Sequence, residues 1–190
     1  KEAAINVSKT LATRELERFS VKNKSLLAKL QQDNQWVHHA ENVLLMGPSG
    51  TGKTHIASAL LHTLVEQGIR CRLFPAVALV QHLQQAKRDL ELMAAMTKLD
   101  KYRAIVIDDI GYVKKTDAET QVLFEFIAHR YESGSLIITA NQPFSQWDSI
   151  FPDSMMTVAA VDRLIHHASI MELEGGSYRI EQQRQLESKP

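Results

Sequence analysis

The stretch that most restricts how this chain can fold is Gly47-Pro48-Ser49-Gly50-Thr51-Gly52-Lys53-Thr54. Gly47 and Gly52 have four residues between them and Lys53-Thr54 directly after, the spacing of a phosphate-cradling loop. An apolar run, Val43-Leu44-Leu45-Met46, leads in, and a helical pattern over 55–66 leads out. That strand–loop–helix context is what the pattern requires. The glycines let successive N–H groups curl toward phosphate oxygens, and the new helix adds partial positive charge at its N-terminus. Lys53 is then placed to neutralise the β- and γ-phosphates, and Thr54 to set its hydroxyl on Mg²⁺.

The remainder of the chain alternates in the same way. Apolar strands are expected at 43–46, 70–74, 104–107, 136–139 and 169–173, separated by helical patterns at 53–66, 76–87, 89–99, from 116, and at 154–166. An earlier amphipathic helix is expected over 25–33, carrying Leu26, Leu27 and Leu30 on one face. Thr116 and Glu119 have the spacing of a capping box. A short helix over 13–19 and a hairpin from Gly175-Gly176 into 178–180 are weaker expectations. Continuous apolar strands joined by helices mean an α/β fold, a parallel sheet sandwiched by helices and built from right-handed crossovers. Ligands of such sheets bind at the carboxyl ends of the strands.

Bulk properties exclude rather than identify. The 190 residues suffice for one α/β domain with a full core. Lysine plus arginine equals aspartate plus glutamate at 22 each, so net charge points to no partner. Cys71 is the sole cysteine, which excludes an intrachain disulfide and a cysteine zinc site. No apolar run is long enough to span a membrane and no signal-peptide pattern opens the chain, so a cytoplasmic protein is expected.

Candidate chemistry falls at the strand ends. Asp108 closes the apolar run 104–107 and is expected to complete the Mg²⁺ shell with Thr54, or else to cap its strand. Asp109 can orient the attacking water or accept its proton, unless it is a bystander. Asn141, after Ile137-Ile138-Thr139, is expected beside the γ-phosphate; a turn-forming Asn is the alternative. Arg163 lies late in the helix before the fifth strand, where it can reach a neighbouring subunit's nucleotide or pair with Asp162. Arg179 is a weaker candidate for a nucleotide contact in cis. The adjacent pairs His38-His39 and His166-His167 are not expected to bind zinc, because adjacent side chains diverge on a helix and no carboxylate has ligand spacing. Basic residues outnumber acidic ones between Arg70 and Lys115. Among them Lys87, Arg88, Lys98 and Lys101 could face a phosphate backbone or simply a solvated surface.

With these residues in view, the chain resembles the AAA+ ATPases of the IstB-like group, the transposition helper proteins of insertion sequences, which are related to DnaC-like helicase loaders and DnaA-like initiators. The match runs over about 36–179. It rests on the phosphate loop from Asn42 through His55, on Ile107-Asp108-Asp109-Ile110-Gly111-Tyr112, and on three further stretches. Those are Thr139-Ala140-Asn141-Gln142-Pro143-Phe144 with Gln146-Trp147-Asp148, Asp162-Arg163-Leu164-Ile165-His166-His167, and Gly176-Ser177-Tyr178-Arg179. The second acidic motif commonly ends in Glu where Asp109 stands.

The resemblance implies a P-loop NTPase core with a five-stranded parallel sheet over 36–180, preceded by an arm and helix (1–35) and followed by a polar tail (181–190). The C-terminal lid of other AAA+ proteins is expected to be largely absent. The resemblance further implies ATP and Mg²⁺ as ligands, with the loop residues 47–55, His55 included, and Arg179 around the nucleotide. It implies homo-oligomerisation through ATP at subunit interfaces, binding of duplex DNA, recruitment of a partner transposase, and disassembly on hydrolysis. An N-terminal module ahead of Lys1 is expected on the same ground. A DnaC-like replicative helicase loader is the alternative reading. A metabolite kinase would need an acceptor pocket and a basic lid that the sequence does not show.

Overall fold

A run of apolar residues with no polar alternation must be covered on both faces, and the central strands meet that requirement. The computed structural model describes residues 19–112, 116–149 and 154–176. Its five strands are β1 (Asn42–Met46), β2 (Cys71–Pro75), β3 (Ala104–Asp108), β4 (Ser135–Ala140) and β5 (Ala168–Glu172). They form one sheet in the order β2-β3-β4-β1-β5, and every pairing is parallel. β1 and β4 are buried along their whole length.

Alternate strand residues serve two separate cores. Val43, Leu45, Val106, Ile137 and Met171 face one layer. That layer is made of α1 (Val21–Gln32), the short α2 (Gln35–His38) and α3 (Lys53–Glu66), through Leu27, Leu30, Trp36, Ile56, Leu60 and Leu64. Leu44, Ile105, Ile107, Leu136 and Ile138 face the opposite layer. There lie α4 (Ala76–Arg88), α5 (Leu92–Leu99), α6 (Asp117–Arg130) and α7 (Ser154–Ile165), with Leu79, Leu83, Met96, Leu123, Phe126 and Leu164 inward. Burying these side chains removes roughly 1.5–3 kcal/mol worth of apolar exposure for each large one.

Several local expectations shift. α1 begins four residues before the expected 25, because the Ser20 hydroxyl accepts the Asn23 N–H at 3.2 Å and caps it. Asn23 Nδ2 then donates to the Glu172 carbonyl at 2.8 Å, fastening α1 to the end of β5. The reciprocal capping box at α6 does not form. Thr116 Oγ1 donates to the Glu119 carboxylate, while the Glu119 N–H is taken by the Thr116 carbonyl at 3.0 Å. The 13–18 part of the expected short helix, the hairpin beyond Gly176 and the tail lie outside the described residues.

One buried cation fixes the turn between α6 and β4. Arg130 is 2% exposed, and its guanidinium donates to the Tyr102 and Arg103 carbonyls at 2.9 and 3.1 Å. Burial lowers its pKa, and the Asp100 carboxylate opposes that shift. Gly134 makes room for it, since a Cβ there would sit 1.9 Å from the guanidinium. Cys71 is also enclosed, and burial pushes its thiol up to about 12. No helix among the described residues is long and apolar enough to cross a membrane.

Candidate nucleotide site

β1 and β3 do not adjoin, because β4 runs between them. The loop after β1 and the acidic end of β3 therefore meet across a gap, and a β4 side chain fills it. Thr139 is fully buried. Its Oγ1 donates to Asp108 Oδ1 at 2.7 Å and accepts the Asp109 N–H at 2.7 Å. From the other side Thr54 Oγ1 donates to the same Asp108 carboxylate, at 2.9 Å to Oδ1 and 3.2 Å to Oδ2. Asp108 is thus oriented by two hydroxyls from two different elements. Asp109 leaves the strand in the left-handed region, at φ 59°. Aspartate tolerates that region better than most residues, and here the turn points the N–H back at Thr139.

The loop is held from within. Lys53 is 5% exposed, and its Nζ donates to the Gly47 and Pro48 carbonyls at 2.7 and 2.8 Å. Thr51 Oγ1 donates to the Pro48 carbonyl at 2.9 Å. Gly50 and Gly52 take φ of 83° and 98°, conformations that favour glycine. Gly47 is required for space as well, since a Cβ would lie 2.2 Å from the Leu173 carbonyl just past β5. Ser49 and Pro48 are exposed at the mouth of the loop, and His55 is half-buried on the first turn of α3. The Gly47 N–H donates to the Ala140 carbonyl at 3.2 Å, so Asn141, the next residue, is carried to the loop's entrance.

Residues 1–186 match the family described as IstB-like ATP binding protein. This chain belongs to that family. It is 45% identical over 178 residues to an insertion sequence ATP-binding protein of Sinorhizobium fredii, covering 94% of this chain and 60% of the relative. It is 36% identical over 149 residues to the insertion sequence IS21 ATP-binding protein of Pseudomonas aeruginosa, covering 78% and 56%. The chain thus spans less than two thirds of these curated relatives. In fold it is similar to the DnaC helicase loader, with a TM-score of 0.65 at 18% identity over 86% of this chain and 100% of that one. AMPPCP-bound DnaA from Aquifex aeolicus gives a TM-score of 0.67 at 16% identity, covering 98% and 58%. The fold is that of the P-loop AAA+ domains.

Within this IstB-like fold the sequence candidates divide. Lys53, Thr54, Asp108, Asp109 and Asn141 converge at the carboxyl ends of β1, β3 and β4. The hydroxyl of Thr54 and carboxylate of Asp108 are hard oxygen donors of the kind Mg²⁺ takes, so the site fits that ion. Arg163 stands apart. Its guanidinium donates back to the Ala159 carbonyl at 2.9 Å and lies 5.4 Å from the Phe124 ring centre. With Tyr131, Met155, Val158 and Asp162 it lines a groove of about 470 Å³. Among the described residues Arg163 makes no ion pair with Asp162, the alternative partner that the sequence offers.

The basic candidates lie on and just after α4 and α5. Lys87 Nζ pairs with Glu125 at 2.8 Å, and Arg88 donates to the Gln85 side-chain Oε1 at 2.6 Å. Lys98 shares a second groove with Lys87, Leu90 and Met93, and Lys101 Nζ lies 5.0 Å from the centre of the neighbouring Tyr102 ring. Arg179, Lys114 and Lys115 lie outside the described residues.

Three residues escaped the sequence reading. Thr139 looks like any β-branched strand former, and only its neighbours reveal its role. Phe19 packs against the phosphate-loop face, with Cζ 3.8 Å from where a Gly52 Cβ would stand. Leu173 presses its carbonyl on Gly47. Only the strand order signals these contacts, and that order is not written in a local pattern.

Proposed function

We propose that this chain is the ATPase core of a transposition regulator that assembles on duplex DNA in its ATP form. The observation that carries the reading is the Thr54–Asp108–Thr139 cluster next to the Lys53 loop. It is a ready set of hydroxyl, carboxylate and ammonium groups for a nucleotide triphosphate with Mg²⁺. Membership of a family described as ATP binding supports the same ligand.

In this reading the 47–55 loop wraps the phosphates with backbone N–H groups, and Lys53 turns its ammonium onto the β- and γ-phosphates. Thr54 and Asp108 hold Mg²⁺, which supplies charge neutralisation at the phosphates when bound. Asp109 and Asn141 orient the water, and Asp109 accepts its proton. Thr139 touches no substrate; it fixes Asp108 and Asp109. Arg163 reaches the nucleotide of an adjacent copy of the chain, so assembly and turnover are coupled. Lys87, Arg88, Lys98 and Lys101 face DNA phosphates. Hydrolysis weakens the contact between copies and releases DNA, and a partner transposase reads the assembled state.

Light scattering and sedimentation of the protein with duplex DNA, with and without ATP and at several salt concentrations, test this. Assembly needing both ligands and weakened by salt is the expected outcome. ATP binding with no response to DNA overturns the DNA reading and favours a helicase loader, whose fold this chain also shares.

A further inference from the structure

The sequence offers the two histidines of the α7–β5 turn no carboxylate or cysteine at ligand spacing. The fold supplies a carboxylate. Glu132, 34 residues earlier in the α6–β4 turn, comes beside His166 and His167. One carboxylate oxygen and one nitrogen from each ring all lie within 4.8 Å of one another, and all three side chains are exposed. Nor do the histidines occupy a helix, where neighbours diverge. They follow α7, and their ring centres are 4.0 Å apart.

We propose that Glu132, His166 and His167 form a site for a divalent transition-metal ion of the zinc class. Two imidazoles and a carboxylate are the ligand types of that class, and they leave a position for water. Ligands about 2.1 Å from a tetrahedral ion stand about 3.4 Å apart. The three donors reach that spacing by side-chain rotation, which exposed side chains allow. The Glu132 carboxylate accepts a hydrogen bond from the Tyr131 hydroxyl, and among the described residues the His167 side chain has no hydrogen bond or ion pair.

The backbone on both sides is fixed, which distinguishes this cluster from a chance meeting of loops. The His166 N–H donates to the Asp162 carbonyl at 3.0 Å, and the His167 carbonyl accepts from Asn42 N–H at 2.7 Å. Opposite, buried Arg130 anchors the start of the turn that bears Glu132, at φ 56°. Tyr131 Oη lies 2.7 Å from His166 Nδ1, an outer contact of the kind that orients a ligating ring. Tyr131 also lines the Arg163 groove, so the ion would clasp two turns at that groove's edge. The site stands independently of the nucleotide reading.

The test is a Zn²⁺ titration by calorimetry on tag-free protein, with Co²⁺ absorption as a second probe. The expected result is one ion per chain with Kd near 10 µM or tighter, and a rise in Tm on the order of 5 °C at saturating Zn²⁺. The double variant His166→Ala/His167→Ala, and Glu132→Gln alone, should each weaken binding at least ~10-fold. The control His38→Ala/His39→Ala should leave it unchanged. Binding absent at 1 mM Zn²⁺, binding that survives the double variant, or an equal loss in the control would each overturn the proposal. Far-UV circular dichroism of the variants separates loss of the site from loss of the fold.

Discussion

The carboxyl ends of β1, β3 and β4 and the outer helices α4, α5 and α7 carry the same kinds of residue in opposite states. At the strand ends partners inside the chain set Lys53 by two carbonyls, the Asp108 carboxylate by two hydroxyls and the Asp109 N–H by Thr139. On the outer helices the cations are engaged only by neighbours near the surface. Arg163 turns onto its own helix, Lys87 takes a half-exposed ion pair, and Arg88 takes a glutamine one turn back. The Asp108 carboxylate is preorganised and only Lys53 must turn to reach phosphate, whereas surface cations held so weakly are cheap to redirect to an incoming partner. We therefore propose that chemistry belongs to the first region and assembly to the second.

That division predicts a hierarchy. Lys53→Ala should cut hydrolysis at least ~100-fold and remove ATP-dependent assembly, read by phosphate release and sedimentation. Thr139→Val should leave nucleotide affinity within about threefold yet lower turnover roughly 10-fold, because Asp108 loses one of its two hydroxyls. The unpaired Asp109 N–H should also cost about 1–2 kcal/mol in denaturant unfolding. If Thr139→Val turned over normally, the centre would not depend on preorganisation. Arg163→Ala should keep ATP binding by the isolated chain and slow hydrolysis only in the assembled state; equal loss in both states would move Arg163 into the first region. Lys87→Gln should change folding stability by less than ~1 kcal/mol, since its pair is half-exposed, while lowering the salt slope of DNA binding by about one.

Cys71 offers an internal check on the core itself. With its thiol held up to about 12, folded protein at pH 8 should resist alkylation that proceeds readily once the chain is unfolded. A thiol whose folded pKa is raised stabilises the fold below its unfolded value near 9. That contribution fades as pH rises from there toward 12.

The sequence discloses what is local. All five strands read within a residue or two of their observed bounds, because continuous apolar runs between turn signals have few other solutions. The start of α1 was obscured by Lys22, Asn23 and Lys24, although its Ser20 cap was present in the sequence. What stayed hidden depends on strand order. Thr139 matters only because β4 separates β1 from β3, and Glu132 meets His166 only because two turns at one end of the sheet converge. Phe19 and Leu173 reach the phosphate loop for the same reason.

Single-turnover hydrolysis by the Asp109→Asn variant, compared with its ATP-dependent assembly on duplex DNA, tests the central claim most directly. The account predicts that Asp109→Asn assembles as the parent chain does and loses hydrolysis by roughly 100-fold, leaving it locked on DNA. Normal hydrolysis by Asp109→Asn, or loss of assembly along with hydrolysis, would contradict the separation of a catalytic centre from an assembling surface.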